Sequence, residues 1–104
     1  MPPRIKITKE KIIASAVELV RKNGADALNA RSVAKEIGSS TQPVFTNFSS
    51  MDDLKSSVIA AAYGIYLGFI EREVESGKYP RYKAFGMAYI RFEREENELF
   101  RLLF

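Results

Sequence analysis

Residues 29–48 read NARSVAKEIGSSTQPVFTNF, and the fold turns on how this stretch is parsed. Asn29 is a residue type that caps the free N–H groups of a helix's first turn. Val33, Ala34 and Ile37 follow at three- and four-residue spacing, which places them on one helical face. Gly38 comes next, and glycine takes the left-handed conformation that stops a helix at no steric cost. Ala34, one turn earlier, is small enough for a second helix to cross closely. Ser39 and Ser40 offer a second cap. Thr41 to Phe48 then predict a short second helix with Val44 and Phe48 pointing inward. Pro43 fits the first turn of that helix, where its missing N–H would have had no partner. Two short helices joined by a glycine-containing turn make a helix-turn-helix unit. The spacing alone also fits an ordinary helical hairpin on the surface of a bundle.

The outward positions of the second helix are Thr41, Gln42, Phe45, Thr46 and Asn47. They are uncharged, and the polar ones carry groups able to hydrogen-bond base edges in the major groove of duplex DNA. Upstream, Thr8 is a good cap, and Ile12, Ile13, Ala16, Leu19 and Val20 recur with helical period. Arg21 and Lys22 suit the negative end of that helix, and Gly24 ends it. Residues 1–50 therefore predict a three-helix domain, with Leu28 and Phe48 closing its core. Its N-terminal arm, residues 1–7, carries Pro2, Pro3, Arg4 and Lys6 and is able to lie along phosphates.

Residues 51–104 predict a second helical unit. Ser50 caps, Asp52 and Asp53 occupy the first turn, and Ser50-x-x-Asp53 resembles a capping box. From Met51 to about Glu75 there is no proline, so this fourth helix is long. Gly64 and Gly68 lie on one stripe beside Ala60 and Ala61, which predicts close approach of another helix. Ser76 to Tyr79 break the pattern, and Pro80 starts a fifth helix with Phe85, Ala88, Tyr89 and Phe92 as its apolar stripe. Asn97 offers a cap for a further turn, and the closing LFRLLF needs a neighbour to cover it, expected to be either further downstream helices or another subunit.

Composition removes several function classes. The chain has no cysteine and no histidine, which eliminates thiolate and histidine metal sites and the Ser-His-Asp and Cys-His catalytic arrangements together. The carboxylate pairs Asp52/Asp53 and Glu95/Glu96 are adjacent on helices and diverge, so no enzyme and no cofactor is expected. Residues 1–50 hold eight Lys/Arg against four Asp/Glu, and residues 51–104 hold eight against nine. A basic excess concentrated in the half with the helix-turn-helix is what phosphate binding requires. The longest apolar run, residues 58–70, is too short for a bilayer that needs roughly 20 residues. No secretory signal is visible, and a cytoplasmic location with no membrane partner is expected.

At residues 28–54, LNARSVAKEIGSSTQPVFTNFSSMDDL resembles the DNA-binding segment of the TetR (tetracycline-repressor) family. The resemblance extends to the first helix with its closing GADAL. The tail YPRYKAFGMAYIRFEREENELFRLLF is similar to the start of a ligand-binding domain in one branch of that family. The resemblance implies an all-α fold: a helix-turn-helix DNA-binding domain, a long connecting helix and the beginning of a helical effector domain, with later helices absent. It implies a homodimeric transcriptional regulator, usually a repressor, whose partners are a double-stranded DNA operator and a small-molecule effector of unknown identity. Carried across by position, Arg31 contacts phosphate, Ser40, Thr41, Gln42, Thr46 and Asn47 face the groove beside Pro43, and Phe45 sits against the backbone.

The chain departs from the family where Phe45 replaces a frequent tyrosine and Met51 a frequent lysine. Affinity then leans on Arg31, Lys9, the N-terminal arm and the N-terminus of the fourth helix, whose N–H groups are suited to hold a phosphate. The rival expectation is a helical interaction module that recruits a partner protein through its apolar C-terminal segment, with no role on DNA.

Overall fold

A computed structural model describes residues 6–104 as an all-helical chain, with no strand among the described residues. Its helices are α1 (Lys9–Asn23), α2 (Ala30–Ile37), α3 (Gln42–Asn47), α4 (Met51–Ser76), α5 (Arg81–Glu95) and α6 (Asn97–Leu103), with a short 3-10 turn at Ala25–Ala27. No helix is long and apolar enough to cross a membrane, among the described residues. Pro2, Pro3 and Arg4 of the expected arm lie outside the described residues.

Local chemistry sets the helix ends. The Thr8 hydroxyl accepts from the Lys11 N–H at 3.1 Å, and the Asn29 side chain accepts from the Ser32 N–H at 2.9 Å. Gly38 stops α2 with φ 85° and ψ 34°. Around it the Ser39 N–H reaches Ala34 O at 2.9 Å and the Gly38 N–H reaches Lys35 O at 3.1 Å, the paired bonds of a Schellman stop. Ser50 caps α4 by accepting from the Asp53 N–H at 3.1 Å. The reciprocal bond is shifted by one residue: the Asp53 carboxylate accepts from the N–H of Ser49, at 3.0 Å, rather than from that of Ser50.

One cluster of buried side chains runs through the whole chain. Ile12, Val20, Leu28, Val33, Val44 and Phe48 join α1, α2 and α3, and Leu54, Val58 and Ala62 seat the first half of α4 against them. Phe69, Ala88, Phe92 and Leu99 continue the cluster through α5 and α6. The LFRLLF segment folds back as α6 and packs on α1, α4 and α5: Leu99 is fully buried, and Phe100, Leu102 and Leu103 are half-buried. Phe104 remains 58% exposed.

Two further features depart from the sequence expectations. The glycine stripe of α4 is not a helix crossing. Gly64 has nothing within 4 Å of where its Cβ would lie, and Gly68 meets only the Arg72 guanidinium. On α5 the buried stripe is Ala84, Ala88 and Phe92, while Phe85 and Tyr89 are turned out. The small alanines let α5 lie close to α4, and the larger rings stand at the edge of that contact. Glu73 is the one buried charged residue among those described, and the Arg91 guanidinium meets its carboxylate at 3.2 Å.

Candidate nucleic-acid interface

Helix α3 is short because its surroundings allow no more. Thr41, the residue ahead of it, already has right-handed helical backbone, and its hydroxyl makes no capping bond. The expected serine cap reduces to one long contact, the Ser40 hydroxyl accepting from the Gln42 N–H at 3.4 Å. Phe48 is extended and buried, which ends the helix one residue sooner than the Thr41–Phe48 span expected from sequence. What fixes α3 is its inner edge: Val44 is 1% exposed and Phe48 3%.

The outer edge divides in two. Gln42, Phe45 and Thr46 are exposed, Phe45 at 61%. Thr41, Pro43 and Asn47 are half-buried, and Ser40 is exposed just ahead of the helix. The Thr46 hydroxyl donates to Gln42 O at 2.9 Å, and the Asn47 amide donates to Pro43 O at 2.8 Å. Both side chains are thereby held against their own helix. Each keeps an acceptor free, since a hydroxyl has two lone pairs and the amide oxygen of Asn47 is not used. Ser40, Gln42, Pro43, Thr46 and Asn47, together with Ile7, line a shallow open dish. Ile7 was not among the residues singled out from sequence; it follows a stretch without periodicity and carries no signal of its own.

The charges around this dish are unevenly committed. At the far end of α1 the Arg21 guanidinium donates to both oxygens of Glu96, at 3.0 and 2.6 Å, and also to Glu18. These bonds raise the Arg21 pKa, the hydrogen bond to Glu96 foremost. Lys22 meets Glu36 at 2.5 Å, which raises the lysine pKa. That consumes two cations and two of the four acids of the first half. Lys6, Lys9, Lys11, Arg31 and Lys35 are all exposed and make no ion pair among the described residues. The Lys9 ammonium sits 5.2 Å from the centre of the Phe48 ring, at the C-terminal end of α3. Arg31 stands in the first turn of α2.

At the N-terminus of α4, where a phosphate seat is expected, two carboxylates gather. Asp53 already accepts from the Ser49 N–H, and from its hydroxyl at 3.3 Å, and Asp52 is exposed in the same turn. Two carboxylates complement the positive end of the helix dipole and oppose a second anion there.

No family model, no curated protein and no solved structure matches the chain.

Proposed function

We propose that this chain is a sequence-specific DNA-binding transcriptional regulator in which α2, the Gly38 turn and α3 act as a helix-turn-helix. The observation that carries the reading is the outer edge of α3. Gln42, Phe45 and Thr46 are exposed on a helix anchored by Val44 and Phe48, and among the described residues the surrounding half of the chain holds five cations outside any ion pair. Phosphate contacts position such a protein, and base-edge contacts give it sequence preference. Gln42 reads a base, Thr46 accepts from one, Phe45 packs on the sugar-phosphate backbone, and Arg31 and Lys9 hold phosphates. The protein acts in the cytoplasm as a homodimer, without a catalytic step. Two α3 helices must then sit about 34–36 Å apart to enter successive major grooves on one face of the duplex. A small-molecule effector that favours a tilted α4 changes that spacing and releases the operator, by no more than its differential affinity for the two states.

The test begins with selection of a binding site from randomised duplexes by the purified protein. Gln42→Ala should then weaken the selected duplex by about tenfold or more, the worth of a good base contact, and leave random duplex nearly unchanged. Failure to enrich any duplex, or equal loss on both, overturns the reading.

A second reading, a protein-interaction module, draws on the exposed rings of Tyr63, Tyr89 and Phe104. Salt separates the two. Phosphate binding weakens steeply as salt rises, and apolar docking does not.

A further inference from the structure

The hydrogen-bonding groups on the outer edge of α3 are few, and some are already committed within the helix. A carbonyl oxygen can only accept, so the Thr46 hydroxyl, 2.9 Å from Gln42 O, spends its one proton there. What Thr46 offers a partner is lone pairs alone. Asn47 is half-buried and holds its amide nitrogen 2.8 Å from Pro43 O. Gln42 carries the amide that stands clear. Its side chain is exposed and takes part in no hydrogen bond among the described residues, while its backbone N–H and O do. It therefore presents a donor and an acceptor side by side. The helix itself, QPVFTN, holds no cation and no carboxylate. Lys9 and Arg31, assigned to phosphates above, belong to α1 and α2.

The four bases answer this set differently. Adenine shows the acceptor N7 beside the donor N6–H2 in the major groove, and a glutamine amide meets both at once. Guanine shows two acceptors, N7 and O6. Reading it takes two donors from one side chain, as arginine supplies, and the glutamine oxygen would there face an acceptor. Thymine and cytosine each offer a single partner. Adenine thus gains one hydrogen bond over every other base at Gln42 and leaves neither end of the amide unpaired. At Thr46 the sorting is by donor. Lone pairs take an exocyclic amino group, N6 of adenine or N4 of cytosine, and find none on the major-groove edge of guanine or thymine. The two side chains are one helical turn apart, about 6 Å along the axis. That distance covers one or two base steps of roughly 3.4 Å.

We infer that the operator half-site carries an adenine under Gln42 and, one or two base pairs away, the amino group of an adenine or cytosine under Thr46, with no guanine recognised by α3. The inference rests on the DNA-binding reading above and adds to it the class of base that is read.

The test uses the whole chain and a duplex selected by it from a random pool. Synthetic copies of that duplex carry 7-deazaadenine at each adenine in turn, which removes the N7 acceptor and keeps Watson–Crick pairing. In anisotropy titrations, one such position per half-site should weaken the wild type by about fivefold or more, the worth of a base contact. Gln42→Ala should bind the substituted and unsubstituted duplexes within about twofold of each other, because the group that N7 served is gone. In a repeated selection, Gln42→Arg should replace adenine by guanine at that position. Thr46→Val keeps the shape and loses the acceptor, and should relax the choice of amino-bearing base at the neighbouring position.

The inference is overturned if no adenine of the selected half-site responds to the loss of N7. It is overturned too if Gln42→Ala, with its helical circular dichroism intact, responds as the wild type does, or if Gln42→Arg or Thr46→Val selects the wild-type half-site. Each of these results leaves DNA binding itself standing. Failure to enrich any duplex overturns both.

Discussion

Gly38 and Phe45 show what single residues decide here. Gly38 holds φ 85°, and a Cβ there would meet nothing within 4 Å. The cost of Gly38→Ala is therefore backbone strain alone, about 1–2 kcal/mol, and the urea midpoint should fall with the slope unchanged. Phe45 is the opposite case. At 61% exposure it contributes little to folding, so Phe45→Ala should move stability by less than about 0.5 kcal/mol yet weaken duplex binding. Both positions were legible in the sequence, one as the residue type best suited to its conformation, the other as an outward position on a periodic helix. Thr41 and Asn47 were not. Their spacing places them near the outer edge, but the amide of Asn47 turns back to Pro43 O and the side chain is half-buried. Periodicity records where a Cβ points and is blind to a polar side chain bonding its own helix.

At the level of helices, the least anticipated contact joins α1 to the boundary between α5 and α6. Arg21 reads in sequence as a dipole-complementing residue of the last turn, and Glu96 as one of a run of acids. Seventy-five residues apart in sequence, they form a two-pronged bond that no local pattern announces. Glu96→Gln removes its charge and should cost about 1 kcal/mol, since Arg21 is only partly screened from water. Hydrogen exchange should quicken in α6 and in the last turn of α1 together. The pH dependence follows from the same contacts. Arg21, Lys22 and Tyr66 all have pKa values raised above their ordinary ranges, Arg21 and Lys22 by their carboxylate partners and Tyr66 mainly by burial. A raised folded-state pKa means stability that is complete below the unfolded value and lost as pH climbs past it. These three groups therefore leave the urea midpoint flat from about pH 6 to 9 and erode it only in alkali. The start of α4 was read correctly as a capped terminus, although its reciprocal bond comes from the Ser49 N–H rather than from that of Ser50.

For the molecule as a whole, the shared core matters more than the division at residue 50. Leu99, fully buried in α6, belongs to the same cluster as Ile12 of α1. Leu99→Ala should cost about 2–5 kcal/mol, and circular dichroism and tyrosine emission should report one coincident transition rather than two. The all-helical class and the long α4 were plain from proline placement and capping residues. The fold-back of α6 was not, because an apolar segment announces that it needs cover without naming the surface that gives it. The tyrosines carry a practical consequence. All five, at positions 63, 66, 79, 82 and 89, lie beyond residue 50, and the chain has no tryptophan. Tyr63 and Tyr66 stack edge to face on α4, and Tyr66 also touches Phe92 and Phe104. The intrinsic emission of this protein is thus a remote gauge: blind to an event at α3 itself, and responsive only when a disturbance there has travelled through α1 or the first half of α4.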